Sequence, residues 1–489
     1  MYAIIQLITV LGVVLATFAI YSAIGKKKSP FIYSSEEKLE WDKFITKDIG
    51  SWFTITSIIG TLTTMATVFV FFIGNTSLFG WVIFVCVFSI MFSFLVTNKF
   101  TKKIVSLDYF KKRQKDNNNN SAVIASIFWA NDKDSKRSSN IIKNISLINI
   151  AAIIWLEFSI FSDISGKLIA NGNIYFSCLI LFLITFLISM FTLKYGLRGF
   201  VVGDLLHSPL IIIGAIILLI GGVMLITNNE VPHNWANIKI ALTPKLDWKT
   251  SAAFILATIF LNLFIVLVSE AHWLRVWIFG EKETKLQPKA QIGTAIIWFF
   301  IILIGIIVGL LGINGIGKDG VVELIEKLTT ISPLFLVGFW IAGTAALFST
   351  TDTQFYSLFL VKSFNPKTGK INTEKLNSLN PFFLSLIISI IFCVLYFLVI
   401  TLKLPFEKLV FLLLPICMII VPAFFRIFKG LAQKPIYLYL AILLYSLASI
   451  KALIDPDNEF FFTVAAPLMP LLVSVIAIMF HRNEKLSYE

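Results

Sequence analysis

Long apolar segments separated by short polar stretches constrain the fold of this chain more than any other feature of its sequence. A helix needs about 20 mostly apolar residues to cross the hydrocarbon core of a bilayer. Lipid offers peptide groups no hydrogen-bond partners, so each crossing must be a helix or part of a closed barrel. Unalternating runs of this length indicate helices. We predict thirteen spans, at residues 2–24, 48–74, 77–97, 145–170, 174–194, 199–226, 251–271, 291–315, 334–361, 381–402, 406–428, 435–453 and 461–480.

The composition agrees with an integral membrane protein. Hydrophobic residues make up 57% of the chain and charged residues 14%, whereas soluble domains average about 45–50% and about 25%. The net charge of +13 need not imply nucleic acid, because Lys and Arg gather in cytoplasmic loops of membrane proteins. We find no nucleophile–base motif and no metal-ligand spacing of His or Cys, and we therefore expect neither an enzyme nor a tightly bound cofactor.

The loops predict the orientation. With the N-terminus outside, most of the 41 Lys and Arg residues fall in cytoplasmic loops, which is the positive-inside pattern. Thirteen crossings then place the C-terminus in the cytoplasm, and we expect the plasma membrane as location. The longest inside loop, with Lys111, Lys112 and Arg113, is interpreted as a solvated loop that fixes topology. Binding to anionic lipid headgroups is the alternative.

The spacing of the spans indicates an internal repeat. Ten spans between residues 48 and 428 divide into two halves of nearly equal length, 48–226 and 251–428. Each half has five crossings, so the second must enter from the opposite side, as in inverted-repeat transporters with sites near the midplane. We call these spans core helices 1 to 10. Residues 1–47 hold an extra N-terminal helix and a cytoplasmic loop, and residues 435–489 hold two C-terminal helices and a cytoplasmic tail.

Core helix 1 is unusually polar for a membrane span. Between residues 52 and 67 it carries six threonines, Ser57 and Gly60. Gly60 eases departure from helical geometry, and hydroxyl groups can cap freed carbonyls or bind a cation. The alternative interpretation is close packing of helices through small residues.

Core helix 8 has a polar cluster near its middle. Ala346, Ser349, Thr350 and Thr353 share one face of the helix at spacings i, i+3, i+4 and i+7. Ser and Thr in membrane helices often bond the carbonyl four residues earlier, which is the simpler interpretation. It does not explain Asp352, because a carboxylate at this depth costs several kcal/mol and usually marks a pathway or a partner.

Other charged and polar residues also fall inside spans. Glu157 lies at the centre of core helix 3, and Asp204 lies just inside core helix 5. Asp163 and Lys167 are interpreted as a neutralising i, i+4 pair, and Glu270, His272 and Arg275 as side chains that reach the membrane interface. An oxygen-only set of carbonyls, hydroxyls and carboxylates suits a hard cation such as sodium. Core helices 1 and 8 would have to meet to form it.

Four stretches resemble the sodium:solute symporter family, which includes sodium/proline, sodium/galactose, sodium/pantothenate and sialic acid symporters. Ala345-Ala-Leu-Phe-Ser-Thr-Thr-Asp-Thr353 resembles the family's A-A-L-M-S-S-L-D-S pattern, and Gly196-Leu-Arg-Gly-Phe-Val-Val-Gly-Asp204 resembles its entry to core helix 5. His272-Trp-Leu-Arg275 is similar to its W-Q-R stretch, and residues 49–64 are similar to its core helix 1. The resemblance implies an all-α membrane fold with a five-plus-five inverted repeat of the leucine-transporter type.

The resemblance also implies ion ligands. The family's sodium site would take carbonyls of Gly60 and Thr63 on core helix 1, the carbonyl of Ala346, and the hydroxyls of Ser349 and Thr350. A second ion in some members implies a set made by Asp204, Ser349, Asp352 and Thr353. Leu62 and Leu274 depart from family positions, and core helix 6 has no Gly or Pro to mark an unwound segment.

These observations predict a sodium-coupled symporter of a small polar organic solute, working by alternating access. We expect the solute pocket between core helices 1, 3, 6 and 8, with Glu157 and Asn262 as lining residues. A pocket facing Glu157 would favour a cationic or zwitterionic solute. Two alternatives remain: a family member that has lost transport and acts as a membrane sensor or scaffold, and a proton-coupled carrier or channel that uses Glu157, Asp204 and Asp352.

Overall fold

The computed structural model describes residues 2–24, 50–107, 123–228, 235–279, 281–313, 317–372, 380–404, 406–454, 461 and 464–480. In this part of the chain ten helices are long and apolar enough to cross a membrane, and two shorter apolar helices accompany them. The protein is therefore an all-α integral membrane protein, while the count of thirteen crossings stays a prediction. The basic segment Lys111–Arg113 and the tail 481–489 lie outside the described residues.

The first half of the core follows an N-terminal helix, Tyr2–Ile24. Core helix 1 comprises Gly50–Leu62, a π-helix Met65–Val70 and a continuation Phe71–Phe79. Core helix 2 begins with the 3-10 turn Gly80–Ile83 and continues through Phe84–Phe92 and Phe94–Val105. A short helix, Ile124–Ile127, precedes core helix 3, Lys133–Ala170. Core helices 4 and 5 form one continuous stretch, Ile174–Asn228, which bends at Gly196.

The second half has the same number of core elements. A short helix, Trp235–Leu242, precedes it. Core helix 6 comprises Trp248–Ile265 and Glu270–Phe279, and core helix 7 is Glu281–Leu310. Helix Lys318–Ile331 and core helix 8, Pro333–Ser363, follow. The remaining elements are a β-hairpin of Phe364–Asn365 with Lys370–Ile371, core helix 9 at Pro381–Thr401, and core helix 10 as Phe406–Leu413, Leu414–Ile420 and Val421–Phe428. The C-terminal helices are Pro435–Ile454 and Met469–Met479.

The first helix of each half is interrupted at a corresponding place. Core helix 1 leaves helical geometry at Thr63 and Thr64, and core helix 6 does so between Val266 and Ser269. Both interruptions begin 15 residues after the predicted start of their half. Interrupted helices at matching positions are typical of inverted-repeat transporters, where they form the central binding region.

Core helix 8 is the central packing element. It contacts the stretch that holds core helices 4 and 5, core helix 3 and the N-terminal helix. Close approach to core helix 5 depends on Gly214, where a Cβ would lie 2.5 Å from the Gly338 carbonyl oxygen of core helix 8. The polar middle of core helix 8 is consequently held among protein neighbours rather than lipid.

Candidate functional site

The interruption of core helix 1 exposes backbone groups in the middle of the bundle. The last helical turn is stabilised by Thr61, whose hydroxyl donates to the Ser57 carbonyl at 2.7 Å. The Thr63 amide still donates to the Ile59 carbonyl at 2.9 Å, but helical geometry stops there. The π-helix that follows starts with Phe69 N–H donating to the Thr64 carbonyl at 3.2 Å. Threonine hydroxyls near the break make this irregular backbone tolerable in a membrane interior.

Core helices 1 and 8 meet directly at this break. The Thr350 hydroxyl lies 3.4 Å from the Gly60 carbonyl oxygen. Ser349 is in contact as well, because a Cβ on Gly60 would stand 2.0 Å from the Ser349 hydroxyl oxygen. Thr63 and Ala346, the other two predicted sodium ligands, are fully buried in the adjoining turns. The geometry thus brings three of the five residues together and places the other two beside them.

Asp204 joins this group from core helix 5. The Ser349 hydroxyl donates to Asp204 Oδ1 at 2.5 Å, and Oδ2 of the same carboxyl has no hydrogen-bond partner. Ser208, one turn later, donates to the Thr56 carbonyl at 2.7 Å and so fixes core helix 5 against core helix 1. The predicted ion residues on three helices therefore form one buried polar cluster.

Asp352 and Thr353 complete the predicted second set. The Thr353 amide donates to Asp352 Oδ1 at 2.5 Å, and its hydroxyl donates to the Ser349 carbonyl at 3.2 Å. No ion pair in the described part of the chain includes Asp204 or Asp352. Because two buried carboxylates close together repel each other at low dielectric, a bound cation or a proton would stabilise the pair.

Sequence reasoning missed the N-terminal helix as part of this cluster. The Tyr21 hydroxyl donates to Asp352 Oδ2 at 2.5 Å. Thr17, one turn earlier, is 2.9 Å from His207 Nε2 on core helix 5. A signal was available, since Gln6, Thr17 and Tyr21 lie on one face of a mostly apolar helix, at spacings of 11 and 4 residues. All three are buried against the core, Gln6 through a 2.7 Å hydrogen bond to Ser165.

The interruption of core helix 6 was also missed. The Trp273 indole donates to the Leu267 carbonyl at 2.8 Å, so a side chain satisfies a backbone group that the break leaves without its helical partner. Neither Gly nor Pro occurs between Val266 and Ser269. At this break a local side-chain hydrogen bond is present where Gly or Pro would be expected.

A cavity of about 150 Å³ lies between the two interruptions. Thr64 lines it from the break in core helix 1, and Val268 and Ser269 line it from the break in core helix 6. Asn149 of core helix 3 and Thr350 of core helix 8 add polar groups. The cavity therefore reaches one of the predicted sodium ligands and opens onto both segments that an inverted-repeat transporter would move.

The two predicted solute residues have different positions. Asn262 lines the cavity, and its amide nitrogen donates to Ser89 Oγ at 2.7 Å and to the Cys86 carbonyl at 3.3 Å. Glu157 is fully buried but is not among the residues that line the cavity. Its predicted role in solute binding therefore has no support from this cavity.

Two transporters are among the solved structures that share this architecture. The chain is similar over 99% of its length to the whole of a Na+-coupled sialic acid symporter in a substrate-bound outward-open state, with a TM-score of 0.68 and 16% identity. It is also similar to the manganese transporter of Eremococcus coleocola, with a TM-score of 0.52, 11% identity, and coverage of 93% of this chain and 98% of that one. The chain has the leucine-transporter-type fold. No family model and no curated protein matches it.

The membrane-interface interpretation of Glu270, His272 and Arg275 is wrong. All three side chains are at most 4% exposed. Arg275 Nε donates to Glu283 Oε1 at 3.2 Å, and Nη1 lies 3.4 Å from the Thr61 hydroxyl. Because Arg275 is paired with Glu283 inside the protein, its charge can stay buried in the bundle without contact with water.

Asp163 and Lys167 form an ion pair, but within a larger network. Their charged atoms are 3.7 Å apart, and Lys318 lies closer to Asp163, at 2.7 Å. Lys167 also bonds Asp319, and Tyr396 donates to Asp163 Oδ1 at 3.1 Å. This network joins core helix 3 to helix Lys318–Ile331 and lies apart from the cavity.

Proposed function

We propose that this protein is a sodium-coupled secondary active symporter of a small polar organic solute. The observation that carries the proposal is the 3.4 Å approach of the Thr350 hydroxyl to the Gly60 carbonyl, at the point where core helix 1 leaves helical geometry. We further propose a plasma-membrane location with the N-terminus outside and the C-terminus in the cytoplasm.

The donor chemistry supports sodium as the coupling ion. Carbonyls of Gly60, Thr63 and Ala346 with hydroxyls of Ser349 and Thr350 would offer only neutral hard oxygens. Such oxygens suit a hard cation. A monovalent ion would replace its hydration shell with this set at the junction of two helices. Each charge that moves inward across the membrane would gain about 2.3 kcal/mol per 100 mV.

Coupling would follow from the location of the site between two helices. If core helices 1 and 8 move relative to each other, a site made by both binds sodium with different affinity in the two states. Sodium from outside would favour the state in which the site is assembled. The cavity beside Thr350 would then bind solute, and closure around both would permit opening to the cytoplasm.

A second ion is proposed at Asp204, Ser349, Asp352 and Thr353. Ser349 would serve both sites, because its hydroxyl already donates to Asp204 and lies against Gly60. The similarity in fold to a Na+-coupled symporter supports coupled transport as a class.

Proton coupling is the second candidate function. The buried carboxyl groups of Asp204 and Asp352, which have no ion-pair partner among the described residues, favour it. A proton on either would relieve the same repulsion that a second sodium would relieve. The two functions differ in which gradient drives uptake.

Thermal unfolding of the purified protein in NaCl and in KCl tests the sodium site directly. Ligand that binds only the folded state stabilises by about 2.7 kcal/mol at 100 times its dissociation constant. We expect a higher Tm in NaCl for the unmodified protein, a smaller sodium effect for Thr350→Ala, and no sodium effect for Ser349→Ala, because Ser349 belongs to both proposed sites. Thr351→Ala is the matched control, because its hydroxyl donates to the Leu347 carbonyl of its own helix at 2.6 Å.

Uptake into proteoliposomes tests the coupling. An inward sodium gradient at equal pH should drive solute accumulation, which Thr350→Ala should abolish. Accumulation driven by a pH gradient without sodium would replace this proposal with proton coupling. A sodium-independent Tm together with no driven uptake of any solute would favour the sensor or scaffold.

A further inference from the structure

The cavity has a one-sided polar character. Among the described residues that line it, Glu270 is the acidic one and none is Lys, Arg or His. Two lining side chains, Glu270 and Asn149, are each more than nine-tenths buried and present a carboxyl or amide oxygen without a hydrogen-bond partner. Buried polar atoms normally have partners. Two unsatisfied acceptors on residues that line one cavity favour a ligand that donates hydrogen bonds.

Glu270 is positioned for a ligand rather than for a structural ion pair. Its Oε2 accepts from the Ile124 amide at 2.7 Å, which fixes the carboxyl group, while Oε1 has no hydrogen-bond partner. Ser146 is close enough to interact with this carboxyl, but its hydroxyl is not in hydrogen-bond geometry. Among the described residues no ion pair includes Glu270. A carboxylate at this depth is costly unless a cation accompanies it.

Aromatic rings form much of the remaining wall. Phe71, Phe72, Phe254 and Trp298 all line the cavity, and the rings of Phe72 and Trp298 meet edge to face with centroids 5.2 Å apart. Aromatic faces attract cations, most strongly when the site is desolvated.

The volume sets the size of the ligand. An apolar cavity of 150 Å³ is large enough to bind benzene, and the cavity here has about this volume. One ring or an aliphatic body of similar size therefore fits, and a larger solute would require the walls to move.

We propose that the cavity binds a small protonated amine with an apolar, ring-sized body, whose ammonium group pairs with Glu270 Oε1 and the Asn149 carbonyl oxygen. This inference rests on the proposed transport function, because it takes the cavity as the solute site. An anion of the same size would face the Glu270 carboxylate without any basic side chain among the described lining residues. The solute specificity of the transporter would then be set by Glu270 and not by Glu157.

Four small phenyl compounds test which ligand charge the cavity prefers. All four contain a phenyl ring: phenethylamine is a cation, 2-phenylethanol is neutral, phenylacetate is an anion and L-phenylalanine is a zwitterion. We expect phenethylamine to raise the Tm of the protein in NaCl, and phenylacetate to leave it unchanged. Equal effects of phenethylamine and 2-phenylethanol, or a preference for phenylacetate or L-phenylalanine, would overturn the proposal.

Two variants distinguish Glu270 from Glu157 as the residue that binds the amine. Glu270→Gln keeps the acceptor for the Ile124 amide and removes the charge, so we expect a loss of phenethylamine affinity of about tenfold or more. Glu157→Gln is the matched control, a fully buried carboxyl outside the cavity lining, and should bind phenethylamine as the unmodified protein does. Loss of phenethylamine affinity in Glu157→Gln but not in Glu270→Gln would place the solute site at Glu157 instead.

The sodium measurement keeps the two proposals distinguishable. A Tm that rises with NaCl but does not change with phenethylamine would refute the amine site and leave the sodium site supported. A Tm that rises with phenethylamine through Glu270, equally in NaCl and KCl, would support the amine site and refute sodium coupling.

Discussion

The Tyr21 hydroxyl of the N-terminal helix donates to Asp352 Oδ2 at 2.5 Å, in the polar middle of core helix 8. Tyr21 is buried and packs edge to face with Tyr195, with ring centroids 5.9 Å apart. A helix outside the ten-helix core thus supplies a donor to the predicted second ion set. The donor offsets part of the cost of burying that carboxyl group.

Tyr21→Phe should make the protein less stable in KCl and more responsive to sodium. Loss of the donor leaves a buried carboxyl oxygen unsatisfied, which costs about 1–3 kcal/mol. A cation bound at Asp352 would recover part of this cost. We expect a lower Tm in KCl and a larger rise on transfer to NaCl than in the unmodified protein.

Tyr195→Phe is the control for this prediction, because it removes a hydroxyl from the neighbouring ring without touching Asp352. An equal fall in Tm in both salts for Tyr21→Phe would show that the hydrogen bond has no connection to ion binding.

Gly60→Ala should remove the sodium effect. The added Cβ would stand 2.0 Å from Ser349 Oγ and 3.2 Å from Ser208 Oγ. Ser349 would have to rotate away from Asp204, and such overpacking costs about 1–3 kcal/mol. We expect a lower Tm and no difference between NaCl and KCl.

Gly309→Ala on core helix 7 provides the comparison, since its Cβ would meet no atom closer than 3.5 Å. A Gly60→Ala protein with its full sodium response would contradict the placement of the ion between core helices 1 and 8.

The sequence marks core helices 1 and 8 because hydroxyls and a carboxyl group inside a span have a recognisable cost, and the family resemblance implies that the two helices meet. It could not predict the partners of Asp352. Tyr21 lies on a helix whose composition is that of an ordinary span, and only tertiary packing turns its hydroxyl toward core helix 8. The family pattern used for the ion site does not extend to that helix.

Depth in the bilayer and burial in protein are different quantities, and hydropathy reports only the first. Glu270 and Arg275 lie near the end of an apolar run, which predicts a place at the membrane interface. The fold instead covers them, with Glu283 paired to Arg275 and the cavity beside Glu270. For the same reason Glu157, central in its span, was expected at the solute and lies outside the cavity lining.

The interruption of core helix 6 gives the third prediction. Neither Gly nor Pro occurs there, and Trp273 Nε1 donates to the Leu267 carbonyl, so we expect the break to depend on this hydrogen bond. Trp273→Phe leaves that carbonyl without its donor, at a cost of about 1–3 kcal/mol. We expect a lower Tm and faster amide hydrogen exchange at residues 266–269.

Trp340→Phe removes the same atoms from another buried indole, one whose Nε1 has no hydrogen-bond partner. Amide hydrogen exchange at residues 266–269 of the Trp340→Phe variant should match that of the unmodified protein. Equal exchange in both variants would mean that the break persists without the indole hydrogen bond.

The ion pair of Arg275 and Glu283 joins core helix 6 to core helix 7, and Arg275 also contacts Thr61 of core helix 1. Arg275 Nε donates to Glu283 Oε1 at 3.2 Å, and Nη1 lies 3.4 Å from the Thr61 hydroxyl on core helix 1. Removal of one partner leaves an uncompensated buried charge and typically costs about 3–5 kcal/mol. Arg275→Met and Glu283→Gln should each lower the Tm strongly.

The double variant should be less destabilised than the sum of the single variants, because it buries no unpaired charge. Lys327→Met is the comparison for an exposed ion pair. Lys327 and Glu323 are 3.2 Å apart, and both side chains are about 40% exposed. Such pairs contribute about 0–1 kcal/mol to stability. Additive effects in the double-mutant cycle would show that Arg275 acts through Thr61 and core helix 1 rather than through Glu283. The sodium response of the double variant would then report whether the contact of Arg275 with core helix 1 is needed for ion binding.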